Sequence, residues 1–382
     1  MMWAHDARAG SRVSMREARE GEPREPEARR SNHESPPARR HGLTPTQPRP
    51  KYHPSQNLFP HPRSSWNATI NSPRPIFALL LATAATPVAS PVRPGFEITG
   101  NSISPESLTS ASNGDVFVGS ARLDIYRLRR GADAPGNAVA APWAQAPASG
   151  PPMIFGVFAD EAAHTLWACA AEYPESKPPA PRSTLYGFDL ETGRQTRAYP
   201  LPTPRALCND ISRDAAGNLY VTDSINNEVL RLAPGAAQLA VWADAAAFGA
   251  KDSALDGLAV LGDRLYVNAI NSGQLFALDI GTGAHPARVT EVQLPRRLDT
   301  PDGMRAISAT AMLVAENGKQ ARITRIDVAG DAATLSDVVT GLAHGANAVS
   351  PQGKQLGILE PQPFETRGDE RRVRAVRVPL RR

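Results

Sequence analysis

The chain has 382 residues, of which 41% are hydrophobic, 21% are charged and 6% are aromatic, and it contains 36 prolines, 29 glycines and two cysteines. This length allows one large domain or two of ordinary size, and two cysteines exclude a disulfide-stapled mini-protein and a four-cysteine zinc module. The longest apolar run, at residues 76–85, is too short to cross a membrane, so we expect no stable membrane span.

Residues 1–72 form a basic leader that is rich in Arg and Pro. The formal net charge of the chain is +4, but residues 1–75 hold about 13 Lys and Arg against about 7 Asp and Glu, so the rest carries about −2. Few aliphatic residues are present to offset the entropy cost of ordering the leader, which predicts disorder. Because the body that follows is slightly acidic, we expect no nucleic-acid partner.

Residues 73–90 resemble a secretory signal peptide. Arg74 precedes an apolar stretch at 76–82, and small residues follow as far as Ser90. A positive start, an apolar centre and a small-residue exit predict cleavage near Ser90 and export to the periplasm or the extracellular space. A signal so far inside a chain is unusual, so we expect the natural product to begin close to the apolar stretch. A short buried helix is the alternative.

The region from about residue 96 to residue 382 has a repeating β-strand pattern. Short β-prone runs alternate with Gly, Asn and Asp turns, and no stretch sustains a helical period. Each unit begins with a leading residue and an apolar strand, followed by a turn and a second strand. The second strands are expected at 116–118, 166–168, 219–221, 265–267 and 312–314, and later strands at 185–189, 228–232 and 274–279.

The spacing of these units predicts the architecture. The leading residues Asn209, Asp256 and Asp302 are about 47 and 46 residues apart, so about six units fit into the body. A four-stranded unit cannot bury both of its faces alone, and such units close radially. A β-sandwich would show a shorter spacing without a long-range repeat. We therefore predict an all-β fold, a six-bladed β-propeller, over residues 96–382.

Four leading residues predict a metal site on the propeller axis. The innermost strands of a propeller line its central channel, so Glu106, Asn209, Asp256 and Asp302 are expected to converge there. Three carboxylates beside a carboxamide would repel one another, and an all-oxygen set suits Ca²⁺, Mg²⁺ or Mn²⁺ better than Zn²⁺. We predict that these four residues bind one divalent cation, most simply Ca²⁺. Ordinary turn chemistry is the alternative for each residue.

Asp210 follows the second of these ligands directly. We predict that its carboxylate orients the metal ligands from outside the coordination shell. An ordinary turn or a peripheral hydrogen bond is the alternative.

The same motifs carry a resemblance to a known family. Pro-Glu-Ser at 105–107, Asn-Asp-Ile at 209–211, Asp-Gly-Leu at 256–258 and Pro-Asp-Gly-Met at 301–304 resemble the senescence-marker-protein, gluconolactonase and luciferin-regenerating-enzyme group of six-bladed propellers. The resemblance runs from about residue 106 to 360. It implies a divalent ion, often calcium, held by Glu106, Asn209, Asp256 and Asp302.

The chain departs from the family at two positions. The third ligand is commonly Asn in the family, whereas this chain has Asp256. Sugar-lactone hydrolases of the family place a substrate-gripping Arg two residues before the Asn ligand, and Leu207 stands there in this chain. The second departure argues against an aldonolactone substrate.

Together, the motifs and the resemblance predict a gluconolactonase-like hydrolase that cleaves a lactone or related ester of small size. A metal-bound water would attack the carbonyl, with Asp302 as the general base. Two alternatives stay open, because one fold hosts several functions. One is a non-catalytic exported propeller that binds a partner or acts as a scaffold. The other is a strictosidine-synthase-like condensation or a cyclase, which the low aromatic content disfavours.

The two cysteines, Cys169 and Cys208, fall in neighbouring units of the repeat. They could pair after export, since oxidising compartments favour disulfides. Free cysteines are also among the residues most often buried, and we expect two buried free thiols.

Overall fold

The structure is a computed structural model, and it describes residues 93–100, 105–120, 124–129, 142–146, 152–172, 182–249, 253–342, 345–360 and 371–379. These residues all belong to one compact unit, Ala82–Arg382. The predicted leader (1–72) and signal segment (73–90) lie outside the described residues. Within the described part of the chain, no helix has the length and apolar character needed to cross a membrane.

The described residues form twenty-four β-strands and only two short 3₁₀ helices, at Glu161–Ala163 and Ala245–Phe248. The strands are β1 (Arg93–Gly100), β2 (Pro105–Ser110), β3 (Val116–Ser120), β4 (Asp124–Leu128), β5 (Pro142–Gln145), β6 (Pro152–Asp160), β7 (Thr165–Glu172), β8 (Arg182–Asp189), β9 (Gln195–Pro200), β10 (Cys208–Arg213), β11 (Leu219–Asp223), β12 (Glu228–Leu232), β13 (Ala240–Ala243), β14 (Leu255–Leu261), β15 (Arg264–Ala269), β16 (Leu275–Asp279), β17 (Val289–Glu291), β18 (Pro301–Ala306), β19 (Ala311–Glu316), β20 (Arg322–Ala329), β21 (Ala332–Thr340), β22 (Ala348–Gln352), β23 (Gln355–Glu360) and β24 (Arg371–Pro379).

These strands make six antiparallel four-stranded sheets, which confirms the prediction of an all-β propeller. The first to fifth sheets are β2–β5, β6–β9, β10–β13, β14–β17 and β18–β21, each in chain order from the inside outwards. The inner strands contact one another in sequence, and β22 of the sixth sheet contacts β2 of the first. The ring therefore closes.

The sixth sheet is built from both ends of the described chain. Its order is β22, β23, β24 and β1, so β1 forms the outer strand. Arg93 lies opposite Arg377, and Gly100 lies opposite Arg371. The basic C-terminal run of the chain forms β24. The sequence pattern did not predict β1, which begins three residues before the expected start of the body.

Each interface between neighbouring sheets has its own apolar core, and there are six such clusters among the described residues. At the interface of the third and fourth sheets, Tyr220, Trp242, Leu258 and Val267 are all fully buried. Burying one large apolar side chain is worth about 1.5–3 kcal/mol. Because every core is shared between two sheets, no sheet can bury its faces without its neighbours.

The cysteine prediction was wrong, because the structure joins Cys169 and Cys208 in a disulfide. Cys169 lies in β7 of the second sheet and Cys208 begins β10 of the third. Both side chains point into the core that these two sheets share, and their Cα atoms are 5.1 Å apart. This separation is within the normal span of a disulfide. The bond therefore links the second sheet to the third at the start of an inner strand.

Candidate functional site

The leading positions of the repeat coincide with β-bulges in the inner strands. The pairing register shifts at Glu106 in β2, at 155–156 in β6, at 209–210 in β10, at 256–257 in β14 and at 302–303 in β18. A bulge removes a residue from the hydrogen-bond ladder and re-aims its side chain. The five positions are therefore structurally equivalent, as the sequence repeat indicated.

Contacts from the preceding sheet hold the backbone of these bulges. Thr222 Oγ1 donates to the carbonyl of Asp256 at 2.7 Å, and Asn268 Nδ2 donates to the carbonyl of Asp302 at 2.8 Å. The sheets approach so closely that a Cβ on Gly257 would lie 2.3 Å from the Asp302 carbonyl oxygen. Glycine is required at this position because any side chain would collide with the neighbouring inner strand.

Asn209 and Asp256, on the third and fourth sheets, are in direct contact. Asn209 Nδ2 donates to Asp256 Oδ2 at 2.9 Å and to Ser224 Oγ at 3.0 Å. Ser224 in turn donates to the carbonyl of Leu255 at 2.6 Å. The nitrogen side of the Asn209 amide is thus committed to two acceptors, and its Oδ1 accepts no hydrogen bond from another described residue.

Glu106 is held from the sixth sheet. Asn347, directly before β22, donates from Nδ2 to Glu106 Oε2 at 3.2 Å, and its own Oδ1 accepts from Asn317 Nδ2 at 2.8 Å. Both ends of the Asn347 amide are therefore engaged. Glu106 keeps Oε1 without a hydrogen bond to another described residue.

The other two carboxylates have the same arrangement. Asp302 Oδ1 accepts from the backbone N–H of Gly303 at 2.9 Å, and Asp256 Oδ2 accepts from Asn209. The second oxygen of each carboxylate has no hydrogen-bond partner among the described residues. Each of the four predicted ligands thus has one polar atom held in place and one oxygen available.

Burial and mutual repulsion affect the pKa values of the three carboxyl groups. Burial raises the pKa of Glu106 to about 6, against the opposing effect of its hydrogen bond from Asn347. Burial, with the negative charges of Asp210 and Glu106, raises the pKa of Asp256 well above its ordinary value. Burial and the charges of Asp256 and Glu106 do the same for the pKa of Asp302. A cation between these groups would relieve both effects.

The chemistry of this donor set suits a hard divalent cation. Three carboxylate oxygens and one amide oxygen are the ligand types that Ca²⁺ takes. Within the part of the chain that the structure describes, no group of three or more His, Cys, Asp or Glu side chains is placed to hold a metal ion. The three carboxylates would therefore have to move closer together to bind one ion.

Asp210 lies next to the predicted ligands but binds a different group. Its two carboxylate oxygens accept from Arg305 Nη1 at 2.9 and 2.7 Å. They also accept from the backbone N–H of Ile211 at 2.8 Å and of Leu258 at 3.2 Å. None of these bonds goes to a predicted ligand side chain. Asp210 influences the site through its charge and through the backbone of β14.

Sequence reasoning missed two residues of this site. Asn347 follows Asp302 by 45 residues, which is close to the repeat period and typical of the start of a sixth unit, but the period assigns no contact to it. Arg305 gave no signal, because a single Arg inside an inner strand repeats in no other unit. At the remaining equivalent position the second sheet presents Phe155, which is half-buried and packs against the core shared with the third sheet.

Comparison with solved structures supports the propeller fold. The chain is similar to a gluconolactonase from Xanthomonas campestris, with 14% identity, a TM-score of 0.54, and coverage of 77% of this chain and 98% of that one. It is also similar to a luciferin-regenerating enzyme, with 11% identity, a TM-score of 0.52, and coverage of 74% and 95%. No known protein family matches the sequence, and no curated protein matches it either. At these identities the likeness establishes the fold alone.

Proposed function

We propose that this propeller is a divalent-metal-dependent hydrolase of a lactone or a related ester. The observation that carries the proposal is the set of four available oxygens on Glu106, Asn209, Asp256 and Asp302. These residues come from four inner strands, each from a β-bulge, and each is fixed by a hydrogen bond through its other polar atom. The two enzymes named above have the same fold, and the gluconolactonase acts on a lactone.

The four residues would hold the cation, most simply Ca²⁺, with Mg²⁺, Mn²⁺ or Zn²⁺ as other candidates. A bound divalent ion supplies a Lewis acid that polarises a carbonyl and acidifies water. The chain's own contribution is to fix the donors. Asn347 orients Glu106, and Asn209 orients Asp256 while its own Oδ1 accepts no hydrogen bond from another described residue.

Asp302 is the proposed general base. Its Oδ1 is tied to the Gly303 N–H, which leaves Oδ2 to take a proton from the attacking water. Burial and the neighbouring carboxylates raise the pKa of Asp302 in the metal-free protein, and a bound cation would oppose this effect and keep the carboxylate ionised. The proton would then pass to the oxygen of the leaving group when the ester bond breaks.

The second and third sheets suggest the kind of substrate. Phe155 stands where five other sheets present polar groups, and Leu207 stands two residues before Asn209. Neither side chain can hydrogen-bond to hydroxyl groups. We therefore propose a lactone or simple ester with few hydroxyls rather than an aldonolactone.

We also propose that the protein is exported, to the periplasm or the extracellular space. The Cys169–Cys208 disulfide supports this, since such bonds persist in oxidising compartments. Sequencing the N-terminus of the mature protein tests it, with a start close to Pro91 expected. An intact leader on protein recovered from the producing cells would contradict both export and cleavage.

The function is tested on the purified full chain by metal analysis followed by a panel of lactones and esters. We expect one tightly held divalent ion, hydrolysis of at least one alkyl-substituted lactone, loss of activity with a chelator, and recovery on adding calcium. Metal binding without any turnover would favour the binding or scaffold alternative. Turnover that persists after complete metal removal would overturn the proposal.

A further inference from the structure

Arg305 links three sheets of the propeller. It lies in β18 of the fifth sheet and is only 8% exposed. Its Nη1 binds Asp210 on the third sheet at 2.7 Å, and its Nη2 binds the carbonyl oxygen of Val157 on the second sheet at 3.0 Å. The fifth sheet neighbours neither the third nor the second, so the guanidinium reaches them through the space that the inner strands surround.

The contacts of the guanidinium are all oxygen atoms. Besides Asp210 and Val157, Nη1 donates to the carbonyl of Met304 at 2.7 Å. One carboxylate and two backbone carbonyls are also the donors that a hard divalent cation accepts. The Arg305 side chain thus occupies a position that is equipped to hold a cation.

Arg305 changes the net charge of the channel, and this affects how many cations the channel can bind. Glu106, Asp210, Asp256 and Asp302 bring four negative charges to the channel, and they lie close enough to repel one another. Arg305 supplies one positive charge to Asp210. One divalent ion bound by the other three carboxylates leaves a net charge of −1. Without Arg305 and before any ion binds, the same channel would carry −4 when all four carboxyl groups are ionised, enough to be balanced by two divalent ions.

We propose that Arg305 is a built-in cation that fills a second cation position, at Asp210, and thereby limits the channel to one divalent ion. This inference goes beyond the proposed hydrolase activity. The role of Arg305 rests on the proposed function only for the presence of the first ion. The same role would hold in a propeller without catalytic activity. Arg305 acts through Asp210 and is a positioning residue, because it touches no proposed ligand side chain.

The test is a count of bound calcium ions in the full-length chain with Arg305→Ala. Ion stoichiometry is measured by calorimetric titration and by metal analysis after dialysis. We expect one ion in the unaltered protein and two in the variant, and a larger rise of Tm with calcium in the variant. One ion in both proteins, with equal calcium-dependent Tm shifts, would overturn the proposal.

Two further variants isolate the charge at this position. Arg305→Lys keeps a cation and is expected to bind one calcium ion. Arg305→Ala combined with Asp210→Asn removes the carboxylate of the second position and is also expected to bind one. A second ion in the double variant would contradict the assignment to Asp210.

The proposal can still be tested if the Arg305→Ala variant fails to fold. If Arg305→Ala does not accumulate in a metal-poor medium, we expect calcium supplementation to restore its accumulation, and absence of restoration overturns the proposal.

The number of bound ions also separates this inference from the proposed function. An unaltered protein that binds no ion disproves metal-dependent hydrolysis, whereas the inference concerns the one extra ion gained by the variant. Two ions in the unaltered protein would disprove the inference and leave hydrolysis untouched.

Discussion

Asn347 donates a hydrogen bond to Glu106 at 3.2 Å although the two residues are 241 positions apart in the chain. Glu106 belongs to the first sheet and Asn347 leads into the sixth, so this bond spans the seam where the ring closes. The proposed metal site therefore depends on ring closure, and the seam is itself part of the site.

Replacing Asn347 by Ala should weaken calcium binding without abolishing it. The change frees Glu106 Oε2, and a hydrogen bond to a charged group is worth about 1.5–3 kcal/mol, or roughly a tenfold to hundredfold change in Kd. Calorimetric titration measures this effect. Asn113→Ala removes an exposed turn Asn of the first sheet and serves as the control, with an unchanged Kd expected. Equal calcium affinity in Asn347→Ala and the unaltered protein would contradict the positioning role.

Asp302→Ala and Glu106→Gln should both lose lactone hydrolysis and high-affinity metal binding. Each change removes one of three charged ligands, and Asp302→Ala also removes the proposed base. The matched control is Asp263→Ala, which removes an exposed turn carboxylate just after the end of β14, at the opposite end of that strand from its bulge. Metal content and initial rates are measured after chelation and calcium re-addition. Full activity of Asp302→Ala under these conditions would refute its assignment.

The metal-free protein should become less stable as the pH rises from 5 to 7. The pKa of Glu106 is about 6 in the folded protein, above its ordinary value, and the pKa values of Asp256 and Asp302 are raised as well. Folding therefore favours the protonated groups, and this stabilisation disappears as they ionise. Tm in chelator is expected to be higher at pH 5 than at pH 7.

Calcium and one substitution provide the checks on this pH effect. Saturating calcium should reduce the difference in Tm, because a bound cation favours the ionised carboxylates. Glu106→Gln should also reduce it, because one titrating group is removed. A Tm that stays constant or rises between pH 5 and pH 7 in chelator would show that these carboxyl groups do not determine how stability depends on pH.

Gly257→Ala should destabilise the propeller by about 1–3 kcal/mol or more, because its Cβ would lie 2.3 Å from the Asp302 carbonyl oxygen. The clash forces apart the inner strands of the fourth and fifth sheets, so metal affinity should fall together with stability. Gly281→Ala is the control, since its Cβ would meet Ala287 at an ordinary 3.7 Å. Denaturant unfolding measures both variants. A Gly257→Ala protein as stable as the control would contradict the close approach.

Replacing Cys169 and Cys208 together by Ala should cost about 2–4 kcal/mol of stability, the usual effect of removing a disulfide. The bond joins the second and third sheets across 39 residues of sequence. Free-thiol labelling under denaturing conditions should find no reactive cysteine in the unaltered protein. Two labelled thiols per chain in protein from an oxidising compartment would show that the bond does not form there.

The sequence predicted the local features of the fold well. The strand at 228–232 has the expected bounds, and the bulges at Asn209, Asp256 and Asp302 fall where the 47-residue period located the leading residues. These features follow from apolar patterning and turn residues, which act over a few positions. A repeat also indicates which positions are equivalent, and the convergence of all four leading side chains on one ion stays a prediction.

Contacts across the ring could not be predicted in the same way. The pairing of Arg305 with Asp210 depends on side-chain length and on which sheets face each other across the channel, and no local pattern encodes either. The disulfide was missed because neighbouring sheets fix the distance between Cys169 and Cys208, whereas the sequence gives only their separation along the chain. The pairing of β1 with β24 joins two segments with no shared motif.

That last pairing has a consequence for biosynthesis. Strand β1 leaves the ribosome early, but its partner Arg371–Pro379 is made some 270 residues later. Until then the nascent chain exposes an unpaired β-edge at each end of an open arc, and such edges invite association with other chains. The ring can therefore close only after β24 has been made, and a chaperone that shields the waiting edge would raise the yield of closed rings.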